Sequence, residues 1–296
     1  MLLLHSYHNG NTQVSIYDDG TKIRRYEGIP EIVHPESIDA KITNYCDLGC
    51  EYCHEQSTIK GIHGDLNKLL EILSELPAGV ELAIGGGNPL SHPDLVSFLQ
   101  KLKERKIIAN ITVNQGHLKQ YQSLLEYLIK DDLMKGIGIS ITNNNFKYIT
   151  HFSSLSKNIV YHVIAGINSI NIIDKLIAID EDCKILILGY KYFGFGKIFY
   201  SEDVKTNIRE WYKKLPSYIS RCTISFDNLG IEQLNVKRLF THEGWNKFYM
   251  GDDFCYTMYI DAVKQQYTGT SRSDKRKSFS ELSLLDFFQK YRKHIN

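Results

Sequence analysis

Residues 80–113 read VELAIGGGNPLSHPDLVSFLQKLKERKIIANITV. The stretch opens on a short apolar run, Val80–Ile84, and stops at three glycines, Asn88 and Pro89. Leu95, Phe98, Leu99 and Leu102 then recur at helical spacing, and a second apolar run follows over Ile107–Val113. Pro93 suits the first turn of that helix. Strand, helix and strand in this order need a crossover, so the two strands run parallel in one sheet with the helix on its face.

The alternation extends both ways. Ser37–Thr43 alternates Ile38, Ala40 and Ile42 with polar residues, and Asp65 stands as a cap before Leu66, Leu69, Leu70 and Leu73 on one helical face. Downstream the pattern predicts a helix over 118–133, a strand over 137–142 and a helix over 147–157. A strand over 160–167, a helix over 170–179, a strand over 184–188 and a helix over 202–215 follow. Six strand-then-helix units predict an α/β fold whose parallel sheet is either open or curled into a partial barrel; periodicity leaves that choice open. Residues 13–27 read as a β-hairpin turning at Asp19-Gly20. After residue 216, Thr223–Phe226 reads as a seventh strand, Thr257–Ile260 and Val263–Tyr267 as a β segment, and Leu284, Phe287, Phe288 and Tyr291 as a closing helix. The expected division is an N-terminal hairpin extension over 1–36, a core over 37–216 and a C-terminal extension over 217–296.

The composition is that of a globular chain: 296 residues, 43% hydrophobic and 23% charged. Thirty-five Lys+Arg against 34 Asp+Glu give +1, so bulk charge makes no case for nucleic acid or an anionic membrane. No apolar run approaches the ~20 residues that span a bilayer. Met1-Leu2-Leu3-Leu4 is interrupted by His5, Tyr7 and His8 too soon for a signal-peptide core, which makes the cytoplasm the expected compartment. Residues 270–280, TSRSDKRKSFS, read first as a solvated loop, with a nucleic-acid contact as the other reading.

Of six cysteines, Cys46, Cys50 and Cys53 fall within eight residues, while Cys183, Cys222 and Cys255 are isolated and read as small buried hydrophobes. In a reducing compartment, clustered thiols bind metal or do chemistry. Three thiolates on one loop suit three irons of a [4Fe–4S] cubane and leave the fourth iron open, whereas electron-transfer clusters take four cysteines. An open corner is a catalytic arrangement, as at catalytic zinc. Zinc is the rival metal: the three cysteines with His63, or less easily with His54 beside Cys53, make a Cys3His set by count. The cysteine loop follows the strand over 37–43, and the glycine run follows the next strand. Both sit at strand carboxyl ends, where parallel α/β architectures bind ligands.

Cys46-Asp47-Leu48-Gly49-Cys50-Glu51-Tyr52-Cys53 resembles the C-x3-C-x-aromatic-C signature of the radical S-adenosylmethionine (radical SAM) superfamily. Gly85-Gly86-Gly87-Asn88-Pro89 resembles that superfamily's GGE-type motif, with Asn88 in place of the acidic residue. The resemblance covers about residues 37–200 and implies a partial (β/α)6 TIM-like barrel. It implies that Cys46, Cys50 and Cys53 ligate a [4Fe–4S] cluster whose fourth iron is chelated by S-adenosylmethionine. Reductive cleavage then yields a 5′-deoxyadenosyl radical that takes a hydrogen atom from substrate, with a flavodoxin- or ferredoxin-type protein as electron donor. It implies that Tyr52 shields the cluster near adenine. Gly85, Gly86 and Gly87 would admit the methionyl part against the backbone. Asn88 would accept from its ammonium, and Asn114 and Ser140 would contact ribose and carboxylate. Val163–Ile167 resembles the strand segment that lies against adenine, while His162 reads as a satisfied histidine.

Lys191, within Gly189–Gly196 at the end of the sixth strand, and Asp227, after the seventh, read as substrate contacts on the same face; a solvated lysine is the other reading of Lys191. Met258-Tyr259-Ile260-Asp261 and the hairpin after it resemble the SPASM-like extension of peptide-modifying radical SAM enzymes, but Gly269–Ser273 lacks the cysteines of an auxiliary cluster. Two substrate classes stand open. A nucleotide or nucleic-acid base is favoured by Arg272, Lys275, Arg276 and Lys277; a peptide or protein is the alternative. From another class, the chain reads as a non-catalytic zinc- or Fe–S-binding module that recognises a partner.

Overall fold

Gly10 takes φ +61°, which lets Leu3–Asn9 (β1) turn tightly into Thr12–Tyr17 (β2). Lys22–Arg25 (β3) then pairs with β2, so the N-terminal part of this computed structural model is a three-stranded antiparallel sheet, not the two-stranded hairpin expected. The additional strand was hidden because His5, Tyr7 and His8 break the apolar run at the N-terminus, although Tyr7 is buried against the core. The structure describes residues 1–293.

The core follows as Ser37–Thr43 (β4), Leu66–Leu73 (α1), Glu81–Gly86 (β5), Leu95–Glu104 (α2), Ile108–Asn114 (β6) and Gln122–Lys130 (α3). Gly136–Ser140 (β7), Lys147–Leu155 (α4), Ile159–Ile164 (β8), Ile172–Ile177 (α5) and Lys184–Leu188 (β9) continue the alternation. Phe195–Phe199 (α6) and Glu202–Lys214 (α7) complete the sixth unit. Thr223–Phe226 (β10), Asn228–Leu234 (α8), His242–Phe248 (α9), Thr257–Asp261 (β11), Gln266–Thr268 (β12), Lys277–Ser278 (β13) and Leu284–Tyr291 (α10) end the described chain.

One ten-stranded sheet runs β10-β9-β8-β7-β6-β5-β4-β11-β12-β13. From β10 to β11 every pairing is parallel; β12 and β13 are antiparallel. β10 and β11 do not pair, so the sheet is a partial barrel with an open seam. The late β10 extends one edge and the later β11 inserts beside β4, so the sheet crosses the expected boundary at residue 216.

Strand parity places the site. Ile38, Ala40, Ile42, Leu82, Ile84, Ile111, Val113, Ile139 and Val163 face the helices and are buried. Each such Leu, Ile or Val contributes about 1.5–3 kcal/mol of transfer free energy. The other parity turns Asp39, Lys41, Gly85, Thr112, Asn114, Ser140 and His162 to the concave side. Asp65 caps α1 by accepting from Lys68 N–H at 3.0 Å. Pro93 lies before the α2 cap, Asp94, not in the first turn. The segment over 118–121 forms a turn, so α3 starts later than its apolar spacing predicts. α6, α8, α9 and β13 were not expected: each is too short to show a period. Among the described residues, no helix is long and apolar enough to cross a membrane.

Candidate functional site

β4 ends at Thr43, whose hydroxyl accepts from Tyr45 N–H at 2.9 Å and starts the cysteine loop. Cys46 N–H donates to Thr58 O and Cys53 N–H to Cys50 O, fixing both ends of the loop. Gly49 takes φ +63°, a turn that a β-carbon would strain. Cys53 O accepts from Phe195 N–H, which ties the loop to α6 across the barrel mouth.

All three thiols are partly exposed and line one cavity of about 310 Å³ at the carboxyl ends of the strands. Burial pushes the Cys46 and Cys50 thiols above their ordinary range, and each is raised further by the neighbouring cysteines. Mutual repulsion of this kind is relieved by a cation, which deprotonates the thiols that bind it.

The glycine run forms the adjoining wall. Gly87 N–H donates to Thr43 O at 2.8 Å and Asn88 N–H to Tyr45 O at 2.6 Å, so the run is pinned to the loop. A β-carbon on Gly87 would stand 2.2 Å from Tyr45 O, and one on Gly86, at φ +116°, 2.4 Å from Thr43 O. Gly85 differs: its β-carbon would meet only Thr112 Cβ, at 4.0 Å, and would project into the cavity. Gly85 keeps a cradle open; Gly86 and Gly87 keep the backbone close.

The remaining expected residues divide. Tyr52 lines the cavity, its ring set edge-on to Phe199 at 5.8 Å, and burial holds its phenol protonated. Asn114 lines it too: Nδ2 donates to Cys50 Sγ at 3.8 Å, while Oδ1 accepts from Gly116 N–H at 2.8 Å. Ser140 and Ile164 line the wall beyond. Lys191 reaches the mouth, 3.0 Å from His54 Nε2 and 3.1 Å from Ser271 Oγ. His54 is kept neutral by burial and by that ammonium.

Asn88 and Asp227 are not in the cavity. Asn88 is fully buried, its Oδ1 accepting from Leu90 N–H at 3.2 Å at the start of a short helical turn. Asp227 Oδ1 accepts from Gly189 N–H at 2.9 Å and Gly230 N–H at 2.6 Å, tying β9 to the cap of α8. Both sit directly before a helical turn, where Asn and Asp serve as N-caps. The expectation that Asn88 receives an ammonium and Asp227 meets substrate does not match these positions.

Four residues in the cavity were not singled out as ligands. Lys41 is buried, 2.7 Å from Glu55 and 3.5 Å from Asp261. Burial would raise the Glu55 carboxyl, but His54, Lys41 and a 2.9 Å hydrogen bond from Tyr259 Oη accompany a shift well below the usual range. Asp39 lies one inward-facing step deeper on β4. His162, expected to be satisfied, has no side-chain hydrogen bond among the described residues, and burial lowers it to about 4.

The imidazoles weighed for zinc do not complete a site. His63 Nδ1 is 2.9 Å from Thr43 Oγ1, its ring packs on His92, and it does not line the cavity. His54 is engaged by Lys191 and Glu55. Asp47 and His117 lie close to the Cys46 sulfur, but they pair with each other at 2.7 Å and stand outside the cavity. The three cysteines line the cavity, and apart from the paired Asp47 and His117 no further metal-ligating side chain groups with them among the described residues. That donor set would suit three irons of a cubane, beside the glycine cradle that lines the same cavity.

The sequence model of the radical SAM superfamily matches residues 40–178, from β4 through α5. These residues form a radical SAM superfamily domain. Its cofactors are those of the family, a [4Fe–4S] cluster and S-adenosylmethionine. No curated protein matches the chain. Among solved structures, this radical SAM chain is similar to Streptococcus suis SuiB bound to S-adenosylmethionine, with TM-score 0.59 and 16% identity over 87% of this chain and 64% of that one. It is similar to SuiB bound to precursor peptide SuiA, with TM-score 0.58 and 17% identity over 87% and 65%. It is also similar to anSMEcpe with bound AdoMet and Cp18Cys peptide, with TM-score 0.56 and 14% identity over 86% and 80%. The chain thus spans a little under two thirds of the SuiB length. At these identities the likeness is one of fold, and it includes the partial barrel.

Proposed function

We propose that this chain is a radical SAM enzyme that removes a hydrogen atom from an unactivated C–H bond of a peptide. The observation that carries the reading is the common opening of Cys46, Cys50, Cys53 and the Gly85 cradle on one cavity. When bound there, the cluster and S-adenosylmethionine supply an electron and an adenosyl radical. The protein's part is to hold and enclose. Cys46, Cys50 and Cys53 present the thiolates, Asn114 orients the Cys50 sulfur, and Tyr52 with Phe199 covers the loop from water. Lys41, Glu55 and Tyr259 fasten the segment after Cys53 to β4 and β11. The electron enters from a low-potential protein of flavodoxin or ferredoxin type.

Two observations support a peptide over a nucleotide. The similar folds of SuiB and anSMEcpe were solved with peptides bound. The basic run is also partly compensated: Arg272 pairs with Asp253 and Lys277 lies 2.8 Å from Glu281, while Arg276 donates to the neutral Ser271 O at 3.1 Å. Two of its four cations are thus matched by carboxylates, which weakens the case for a phosphate-binding groove.

The test is transfer of label. Anaerobically reconstituted protein with dithionite, S-adenosylmethionine and a perdeuterated peptide library should release 5′-deoxyadenosine that carries deuterium. Deuterium acquired only from labelled nucleotides would favour the other substrate class, and no cleavage in any reductant would favour a non-catalytic binding module.

A further inference from the structure

The charged groups around the cavity have hydrogen-bonding partners, with one exception. Lys41 meets Glu55 and Asp261, Lys191 meets His54 and Ser271, and Arg272 meets Asp253. Asp227 accepts two backbone N–H groups. Asp39 has neither a hydrogen bond nor an ion pair among the described residues; it is exposed, and it lines the cavity. It stands level with Ala83 on β5 and Tyr259 on β11. Ala83 leaves the space in front of it free. Thr43 lies four positions on from Asp39, about 13 Å of strand, so Asp39 lies below the rim that carries the cysteine loop.

Two further side chains without hydrogen bonds among the described residues line the cavity above this level: Thr112, two residues on from Asn110, which is the β6 residue level with Ala83, and His162 on β8, level with Ser140 and Asn114. The protein around the cavity pushes Asp39 up to about 6 although water reaches its side chain, and an occupant that displaces that water takes away the carboxylate's solvation. The groups that face it are Lys191 after β9, which opposes the rise, and Asp253 and Asp227, which add to it. Tyr259 faces it from β11 and Lys41 from its own strand, while β5 presents no titratable group there. A neutral occupant would leave that charge uncompensated; an ammonium or guanidinium would neutralise it and donate hydrogen bonds.

We propose that Asp39 anchors a cationic side chain of the substrate, an ammonium or a guanidinium, on the cavity floor. The proposal rests on the peptide reading above and narrows it to a peptide whose modified segment carries a Lys- or Arg-type group. Asp39 thus acts in specificity and is not a cofactor ligand.

Binding tests it without reductant. Nα-acetyl-lysine methylamide, Nα-acetyl-arginine methylamide and the uncharged Nα-acetyl-norleucine methylamide are titrated into the full chain at pH 8, with and without reconstitution. At least one cationic probe should bind tenfold or more tightly than the norleucine probe. The margin should disappear in Asp39→Asn, persist in Asp39→Glu, and shrink in the unaltered protein as pH falls through about 6. Equal binding of charged and uncharged probes, no binding of either cation at millimolar concentration, or a margin that survives in Asp39→Asn overturns the proposal. Because these titrations need no cleavage of S-adenosylmethionine, a protein that fails to cleave it defeats the radical reading and leaves this result readable.

Discussion

Asn114 Nδ2 donates to Cys50 Sγ at 3.8 Å, joining the end of β6 to the cysteine loop across 64 residues of sequence. The same side chain holds Gly116 N–H through Oδ1, so its amide is oriented by its own backbone before it meets the sulfur. Hydrogen bonds to cluster sulfurs favour the reduced, more negative state. Asn114→Ala removes the donor without adding a charge beside the sulfur. It should lower the midpoint potential of the reconstituted cluster by some tens of millivolts, the equivalent of roughly 0.5–1.5 kcal/mol for one lost hydrogen bond. Redox titration followed by EPR checks the shift, and an unchanged potential would deny Asn114 that role.

Adjacent glycines should fail in different ways. Gly87→Ala forces a β-carbon to 2.2 Å from Tyr45 O and should unfold or displace the cysteine loop, seen as a lowered melting temperature and poor iron uptake. Gly85→Ala meets nothing closer than 4.0 Å and should melt within about 2 °C of the unaltered protein, since no packing is disturbed. Its loss should appear in equilibrium dialysis, as weakened retention of S-adenosylmethionine by the loaded protein.

Lys41 stands between two carboxylates, 2.7 Å from Glu55 and 3.5 Å from Asp261. Lys41→Met leaves both without their cation in a buried setting and should cost about 3–5 kcal/mol in chemical denaturation. Glu55→Gln combined with it should recover part of that loss, because one stranded charge is then removed.

Asp39 carries a pH signature. Its folded value of about 6 lies above an unfolded carboxylate, so the native state holds the proton more tightly. The associated stability is full below about pH 4 and is lost as pH rises through 6. Asp39→Asn should therefore be more stable than the unaltered protein at pH 8, by about 1 kcal/mol once the water reaching the carboxylate is allowed for, and equal to it at pH 4. His162 acts in the other direction: held neutral down to about 4, it costs stability as pH falls below its ordinary range. Denaturation curves of Asp39→Asn and His162→Gln against pH separate the two.

The βα alternation was legible because strands and helices of the core are long enough to show their periods, and Asp65 marked a helix start that the structure keeps. β1 was not legible, since histidines interrupt its apolar residues. The loop that carries Cys46, Cys50 and Cys53 was visible from spacing, and strand order placed it at the mouth. Asp39 was passed over because a carboxylate alternating with Ile38 and Ala40 reads as the solvent side of a sheet. Only the curl of the sheet turns that side toward the cavity. Asn88 and Asp227 were assigned to the site by their place after strands, yet those places also open helical turns, and capping took both side chains.

The central claim is that Cys46, Cys50 and Cys53 hold a cluster with one iron left for S-adenosylmethionine. Anaerobic reconstitution followed by iron analysis and EPR of the reduced protein tests it most directly. The account predicts a brown protein with about four irons per chain, a reduced-cluster signal that changes shape when S-adenosylmethionine is added, and loss of that signal on replacing any of the three cysteines by Ala. A colourless protein holding one zinc, or a signal indifferent to S-adenosylmethionine, would contradict it.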